Sequence, residues 1–226
     1  MVNTNLYDRI TESLIKTRTS ISTMESCTAG LIATLLTNVP GSSEILKGAF
    51  VTYCNEAKIM QGVPSETITD CGVYSSETAI AMAKACKETY KSDIGIGITG
   101  TLDRIDPNNN KGYKDVYIAI IWHNKPHVRA FNIPEDIKGR LNRKFFVADE
   151  IGILLFQLIE KDKLRKDIIR NMTGEIKELA DFHSVEVPVV YGDGTESLDK
   201  VLPLDELGHI LYCIQNPEEE GELDEI

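Results

Sequence analysis

Apolar positions along this chain switch between a helical and an extended period, and the switches outline the fold. Residues 6, 10, 14 and 15 set an amphipathic helix over Leu6 to Lys16. Ser20 to Met24 is a short run with β-branched positions and predicts a strand. A turn of small and hydroxyl residues follows, Cys27-Thr28-Ala29-Gly30, and then an apolar helix, Leu31 to Thr37. Thr28 suits the cap of that helix, with Gly30 in its first turn, and Pro40-Gly41 breaks it. Ala49 to Cys54 predicts a second strand, and Asn55 an N-cap for a helix from Glu56 to Gln61. Gly62-Val63-Pro64 ends it, and Ser65 to Asp70 forms a further turn of helix. Ser75 or Ser76 caps a long helix, Glu77 to Lys91, with alanine at 79, 81, 83 and 85.

Asp93 to Thr99 alternates isoleucine with glycine, the pattern of a buried strand on which another element packs closely. Gly100 to Tyr113 has no period and reads as a long loop, a length usually tied either to function or to disorder. Asp115 to Trp122 is a strongly apolar strand. A hairpin through His123 to His127 returns it along Val128 to Ile133, and a helical region runs from Glu135 to about Leu158. Strands separated by helices imply parallel neighbours, and the hairpin adds antiparallel ones. The expected fold class is therefore α/β, a three-layer α/β/α domain with a mixed sheet over residues 1–160. Residues 161–226 form a small C-terminal extension: a charge-rich connector at 161–166, an amphipathic segment Asp167 to Phe182, a strand Val185 to Tyr191, a turn at Gly192 to Gly194 and an apolar segment Asp205 to Gln215. So little apolar content cannot build its own core, so the extension is expected to pack on the first domain or on a partner subunit.

Composition is that of a globular protein, 42% hydrophobic and 26% charged in 226 residues, with no apolar run of membrane-spanning length. The start lacks the basic and apolar regions of a signal peptide, so a cytoplasmic location is expected. Net charge is −11, and the stretch 217–226 carries six carboxylates and no base. That charge disfavours nucleic acid or an anionic membrane as a partner held by bulk electrostatics. Five widely spaced cysteines and four scattered histidines show no metal-ligand spacing, so neither a metal nor a cofactor is expected.

The candidate chemistry gathers in Ser22 to Lys58. Neither a Gly-x-Gly-x-x-Gly nor a Gly-Lys-Ser/Thr phosphate loop occurs. The strand-turn-helix at Ser26 to Gly30 places backbone N–H groups and two hydroxyls, Ser26 and Thr28, where an anion can bind, although the same hydroxyls also suit simple capping. Ser42/Ser43, Tyr53 and Lys58 form a second group. A serine needs a base near neutrality, and a lysine serves once burial and a helix N-terminus disfavour its ammonium form. Cys27 is a rival nucleophile, because a helix start can lower a thiol's pKa.

Glu25-Ser-Cys-Thr-Ala-Gly30 resembles the Glu-Ser-Cys-Thr-Gly-Gly motif of the CinA C-terminal domain family, the competence/damage-inducible group. Val39-Pro-Gly-Ser-Ser43, Phe50-Val-Thr-Tyr-Cys-Asn-Glu-Ala-Lys58, Gly62-Val-Pro64, Gly72-Val-Tyr-Ser75 and Ile98-Thr-Gly100 follow at the family's spacing, across residues 5–160. The resemblance implies a metal-independent nicotinamide-mononucleotide (NMN) deamidase that yields nicotinic acid mononucleotide and ammonia. It assigns the catalytic roles to Ser43 as nucleophile, Lys58 as base and Tyr53, with substrate bound by Ser26, Thr28, Gly30, Thr99, Gly100 and an arginine, Arg140 or Arg143. It also implies self-association into a homo-oligomer. The chain departs from the pattern at Ala29, which replaces a glycine, and at Thr101 to Asn110, where the family is richer in glycine. A nucleotide sensor that keeps the pocket without turnover is the alternative.

Overall fold

The computed structural model describes residues 2–103, 115–183, 185–190 and 196–201. Contacts divide the chain into two units, Met1–Ile159 and Glu160–Ile226. The first holds helices α1 (Thr4–Thr17), α2 (Leu31–Leu36), α3 (Asn55–Met60), α4 (Ser65–Cys71) and α5 (Ser76–Tyr90), with strands β1 (Ile21–Glu25), β2 (Leu46–Val51), β3 (Ile94–Gly100), β4 (Asp115–Trp122) and β5 (Lys125–Asn132). Helix α6 (Arg140–His183) begins in this unit and continues past the division. In the second unit, β6 (Val185–Val190) and β7 (Glu196–Val201) pair antiparallel.

The five strands form one mixed sheet in the order β2-β1-β3-β4-β5. β1 is parallel to both neighbours, and β4 is antiparallel to β3 and β5. The chain leaves β1 to build β2 on one side and later returns to build β3 on the other. The carboxyl end of β1 is thus a topological switch point, where diverging connections leave a crevice.

The alternation in β3 explains the layers. A strand sends successive side chains to opposite faces. Ile94, Ile96 and Ile98 enter the larger core with Tyr7, Ile10 and Leu14 of α1, Ile32 and Leu36 of α2, and Val147, Ile151 and Leu155 of α6. Each fully buried isoleucine contributes roughly 1.5–3 kcal/mol. Gly95 and Gly97 face the other way, where a Cβ would collide with the α5 backbone at Ala83 and Ala79. The alanine-rich helix therefore packs inside the unit, directly on the sheet.

Several boundaries differ from the sequence expectation. The second strand ends at Val51 because its partner β1 ends at Glu25, the residue opposite it in register. Thr52 to Cys54 leave the sheet, and Cys54, not Asn55, is the N-cap residue of α3, with no side-chain cap bond. The hairpin turn is only His123-Asn124, both at positive φ, so β5 starts at Lys125. Two such residues give the turn whose twist matches the strands. The last helix starts at Arg140, not Glu135, after Gly139 at φ 84°. The charged stretch 161–166 is helical, part of α6. The expected turn at Gly192 to Gly194, the segment Asp205 to Gln215, the acidic stretch 217–226 and most of the loop Gly100 to Tyr113 lie outside the described residues.

Candidate active site

Beyond β1 the chain turns sharply. The Ser26 N–H donates to the Ile98 carbonyl of β3 at 3.1 Å, and the Ala29 N–H donates back to the Ser26 carbonyl. Ala29 sits at φ 54° and Gly30 at φ 89°, two consecutive residues in the left-handed region. Glycine occupies that region freely, whereas alanine does so at a cost of about 1 kcal/mol. The turn thus keeps a glycine-like backbone although the first position is alanine.

Glu25 organises this turn, a role the sequence reading gave to no residue at that position. Its carboxylate is fully buried and accepts from the backbone N–H groups of Gly30 (2.9 Å), Ile32 (3.2 Å) and Ala33 (2.9 Å). Thr23 adds its hydroxyl at 3.3 Å. An anion at a helix start satisfies orphan donors and the helix dipole together. Two expectations fall with this. Gly30, not Thr28, is the N-cap residue of α2, and the donors of Gly30, Ile32 and Ala33 are taken by a residue of the chain itself. Among the described residues the Thr28 hydroxyl is buried without a partner. The signal available was an acidic residue just before a helix that lacks a side-chain cap.

Lys58 comes from the next crossover. Its side chain is only 1% exposed, and its amine donates to the Ser26 hydroxyl at 3.2 Å and to the Thr52 carbonyl at 2.9 Å. Among the described residues it has no ion-pair partner. Burial pushes its pKa below the ordinary lysine value, more than Cys54, Cys27 and Glu56 restore it. A shift in this direction is the one a lysine acting as a general base needs. A second buried hydroxyl without a partner among the described residues, Thr52 Oγ1, lies in the segment that holds the amine.

Ser43 is not part of this pair. It is exposed in the short 3-10 turn Ser42–Glu44, before β2, whereas Lys58 follows β2. A six-residue strand with a rise of about 3.3 Å per residue separates the two positions along the chain, so within one chain they stand at opposite ends of β2. Ser42 is buried and donates to the Thr37 carbonyl. Cys27 is also set aside: burial pushes its thiol up to about 12, which keeps it protonated.

Tyr53 and Arg140 do meet. Tyr53 is 59% exposed, and its hydroxyl accepts from Arg140 at 2.8 Å. Arg140 also pairs with Asp103 at 2.7 Å. Arg143 pairs with the same carboxylate and donates to the Ile137 and Leu102 carbonyls. Arg140 is thus the arginine that reaches Tyr53. The Cys27 thiol, next to Ser26, feels the positive charges of both Lys58 and Arg140, which oppose the effect of burial. Thr99 is fully buried and spends its hydroxyl on the Val73 carbonyl at 2.8 Å. Gly100 allows close approach, since a Cβ there would meet the backbone of Asp115 and Val116. Among the described residues no cluster of His, Cys, Asp or Glu could hold a metal ion.

The mixed α/β sheet thus carries a buried serine–lysine pair at its switch point, the place where α/β sheets of this kind hold their ligands, and Arg140 in contact with Tyr53. The chain belongs to the CinA C-terminal domain family, whose model matches residues 3–150. A CinA-like protein of Kosmotoga olearia is 34% identical over 157 residues, covering 69% of this chain and 38% of the relative. One from Chloroherpeton thalassium is 52% identical over 96 residues, covering 42% and 23%. The chain spans about a third of the length of the curated relatives it matches. The crystal structure of competence/damage inducible protein CihA from Agrobacterium tumefaciens is similar at TM-score 0.63 and 30% identity, over 69% of this chain and 94% of that one. A CinA superfamily protein from Klebsiella pneumoniae shares the fold at TM-score 0.65 and 20% identity, over 70% and 99%. No described helix is long and apolar enough to cross a membrane.

Proposed function

We propose that the chain is an amidohydrolase that converts NMN to nicotinic acid mononucleotide and ammonia, with Ser26 as nucleophile and Lys58 as base. The carrying observation is the buried Lys58 amine 3.2 Å from the Ser26 hydroxyl, with no carboxylate paired to it among the described residues. The choice of substrate rests on the family resemblance. The choice of serine rests on geometry and replaces Ser43.

In the neutral amine one N–H donates to the Thr52 carbonyl, and the lone pair accepts the Ser26 proton. The serine oxygen bonds to the carboxamide carbon as its proton passes to Lys58. The C–N bond then breaks, Lys58 returns the proton to the leaving nitrogen, and ammonia departs from an acyl-serine. Water repeats the sequence: Lys58 takes its proton, hydroxide attacks the ester, and the proton returns to Ser26. The Thr28 and Thr52 hydroxyls are buried without a partner among the described residues, which is costly, and both lie in the segments that carry Ser26 and the carbonyl holding Lys58. Arg140 and Tyr53 at the rim meet the nucleotide's anionic end.

Incubating the purified protein with NMN and following ammonia and nicotinic acid mononucleotide tests the reaction. Release of both in equal amounts supports it, and no release overturns it. Thermal stabilisation by NMN without release is instead the signature of the non-catalytic sensor.

A further inference from the structure

We infer that Asp103 is a positioning residue that clamps Arg140 at the rim of the pocket and so sets a requirement for a phosphate on the substrate. The inference rests on the proposed reading of Ser26 and Lys58 as the reacting centre. Arg140, Arg143 and Asp103 form one charge cluster at the junction of the β3 exit and the α6 start. Arg143 is only 12% exposed at its side chain, and its Nε and Nη1 donate to two backbone carbonyls and to Asp103. It therefore acts as an anchor for the carboxylate. Arg140 is different: its side chain is half exposed, and among the described residues it is held by Asp103 on one terminal nitrogen and by the Tyr53 hydroxyl on the other. Two contacts on different nitrogens fix the plane of the guanidinium and leave its other N–H groups to an incoming anion. Within this cluster two guanidiniums face one carboxylate, which leaves the group of three side chains with a net positive charge, the complement of a phosphate.

The anchored chain Arg143–Asp103–Arg140–Tyr53 leads back to the reacting pair, because the next residue before Tyr53 supplies the carbonyl that holds the Lys58 amine. A clamp of this kind acts through Arg140, so its effect falls on substrate binding and spares the chemical step. An unclamped Arg140 must lose its side-chain freedom when it binds. That predicts a rise of about three- to tenfold in KM.

The test compares NMN with its dephosphorylated form, nicotinamide riboside, for the unaltered protein and for Asp103→Asn, Arg140→Met and the double variant, with melting curves to confirm folding. Asp103→Asn is expected to raise KM for NMN about three- to tenfold, with kcat nearly unchanged and no change towards the riboside. The double variant is expected to be no weaker than Arg140→Met alone, which leaves the Asp103–Arg143 pair intact. Equal losses on both substrates, an unchanged KM for NMN, or additive losses in the double variant overturn the clamp. Calorimetric binding of the same two ligands reads the clamp without turnover. NMN bound in an Asp103-dependent, phosphate-dependent way but not hydrolysed retains the clamp and removes the amidohydrolase. Unaltered protein that binds neither ligand overturns the clamp as well.

Discussion

Ser26 and Lys58 are 32 residues apart in the chain, yet the lysine amine lies 3.2 Å from the serine hydroxyl. The first leaves the end of β1, and the second enters from the helix after β2. Parallel pairing of these two strands places both exits at the same edge of the sheet. Ser43, only 15 positions before Lys58, precedes the same strand and is carried to the other end.

Ser26→Ala is expected to lower kcat for NMN by about a thousandfold or more, since a nucleophile has no substitute within its pair. Ser43→Ala, on an exposed turn, is expected to keep turnover close to that of the unaltered protein. Steady-state kinetics on the two variants decide between them. Normal turnover by Ser26→Ala removes the mechanism.

Activity should rise with pH as Lys58 loses its proton, with the midpoint below the ordinary lysine value of 10.5. Stability should follow the same direction. Between the depressed folded pKa and 10.5 the unfolded chain binds a proton that the folded chain does not, so stability increases as pH rises through that window. Lys58→Met is expected to abolish turnover and to flatten this part of the stability profile. Denaturation at a series of pH values measures it, and an unchanged slope argues against the depressed amine.

Glu25→Ala removes the acceptor of three backbone N–H groups at the start of α2, one of them buried and two half-buried. The expected loss is roughly 3 kcal/mol, with a smaller loss for Glu25→Gln, which retains one acceptor oxygen. Chemical denaturation reads both. A loss within a few tenths of that of a surface substitution contradicts the capping role.

Gly97→Ala drives a Cβ into the backbone of α5 at Ala79 and Ala83. Backbone cannot rotate away as a side chain can, so a loss of about 3 kcal/mol or more is expected. Thermal melting measures it. Tolerance of the substitution would mean that α5 does not lie directly on β3.

Much of the framework was legible without coordinates, because hydrophobic period is a local property. The isoleucine–glycine alternation of β3 and the alanines of α5 each stated half of one contact, and the structure joins them. The strands, the hairpin and the mixed sheet were readable on the same basis. Element ends were less so: β2 stops where β1 stops opposite it, a fact held by its partner and absent from its own residues.

The sequence by itself determined the order of elements, the face each presents to the core, and a short set of hydroxyls and one lysine as candidate chemistry. Tertiary structure alone decided which serine meets the lysine, which residue occupies the start of α2, and which arginine reaches Tyr53. The physical reason is one of range. Periodicity acts over a few residues, whereas a hydrogen bond between side chains needs two distant segments delivered to one edge of the sheet, and only strand order and register accomplish that.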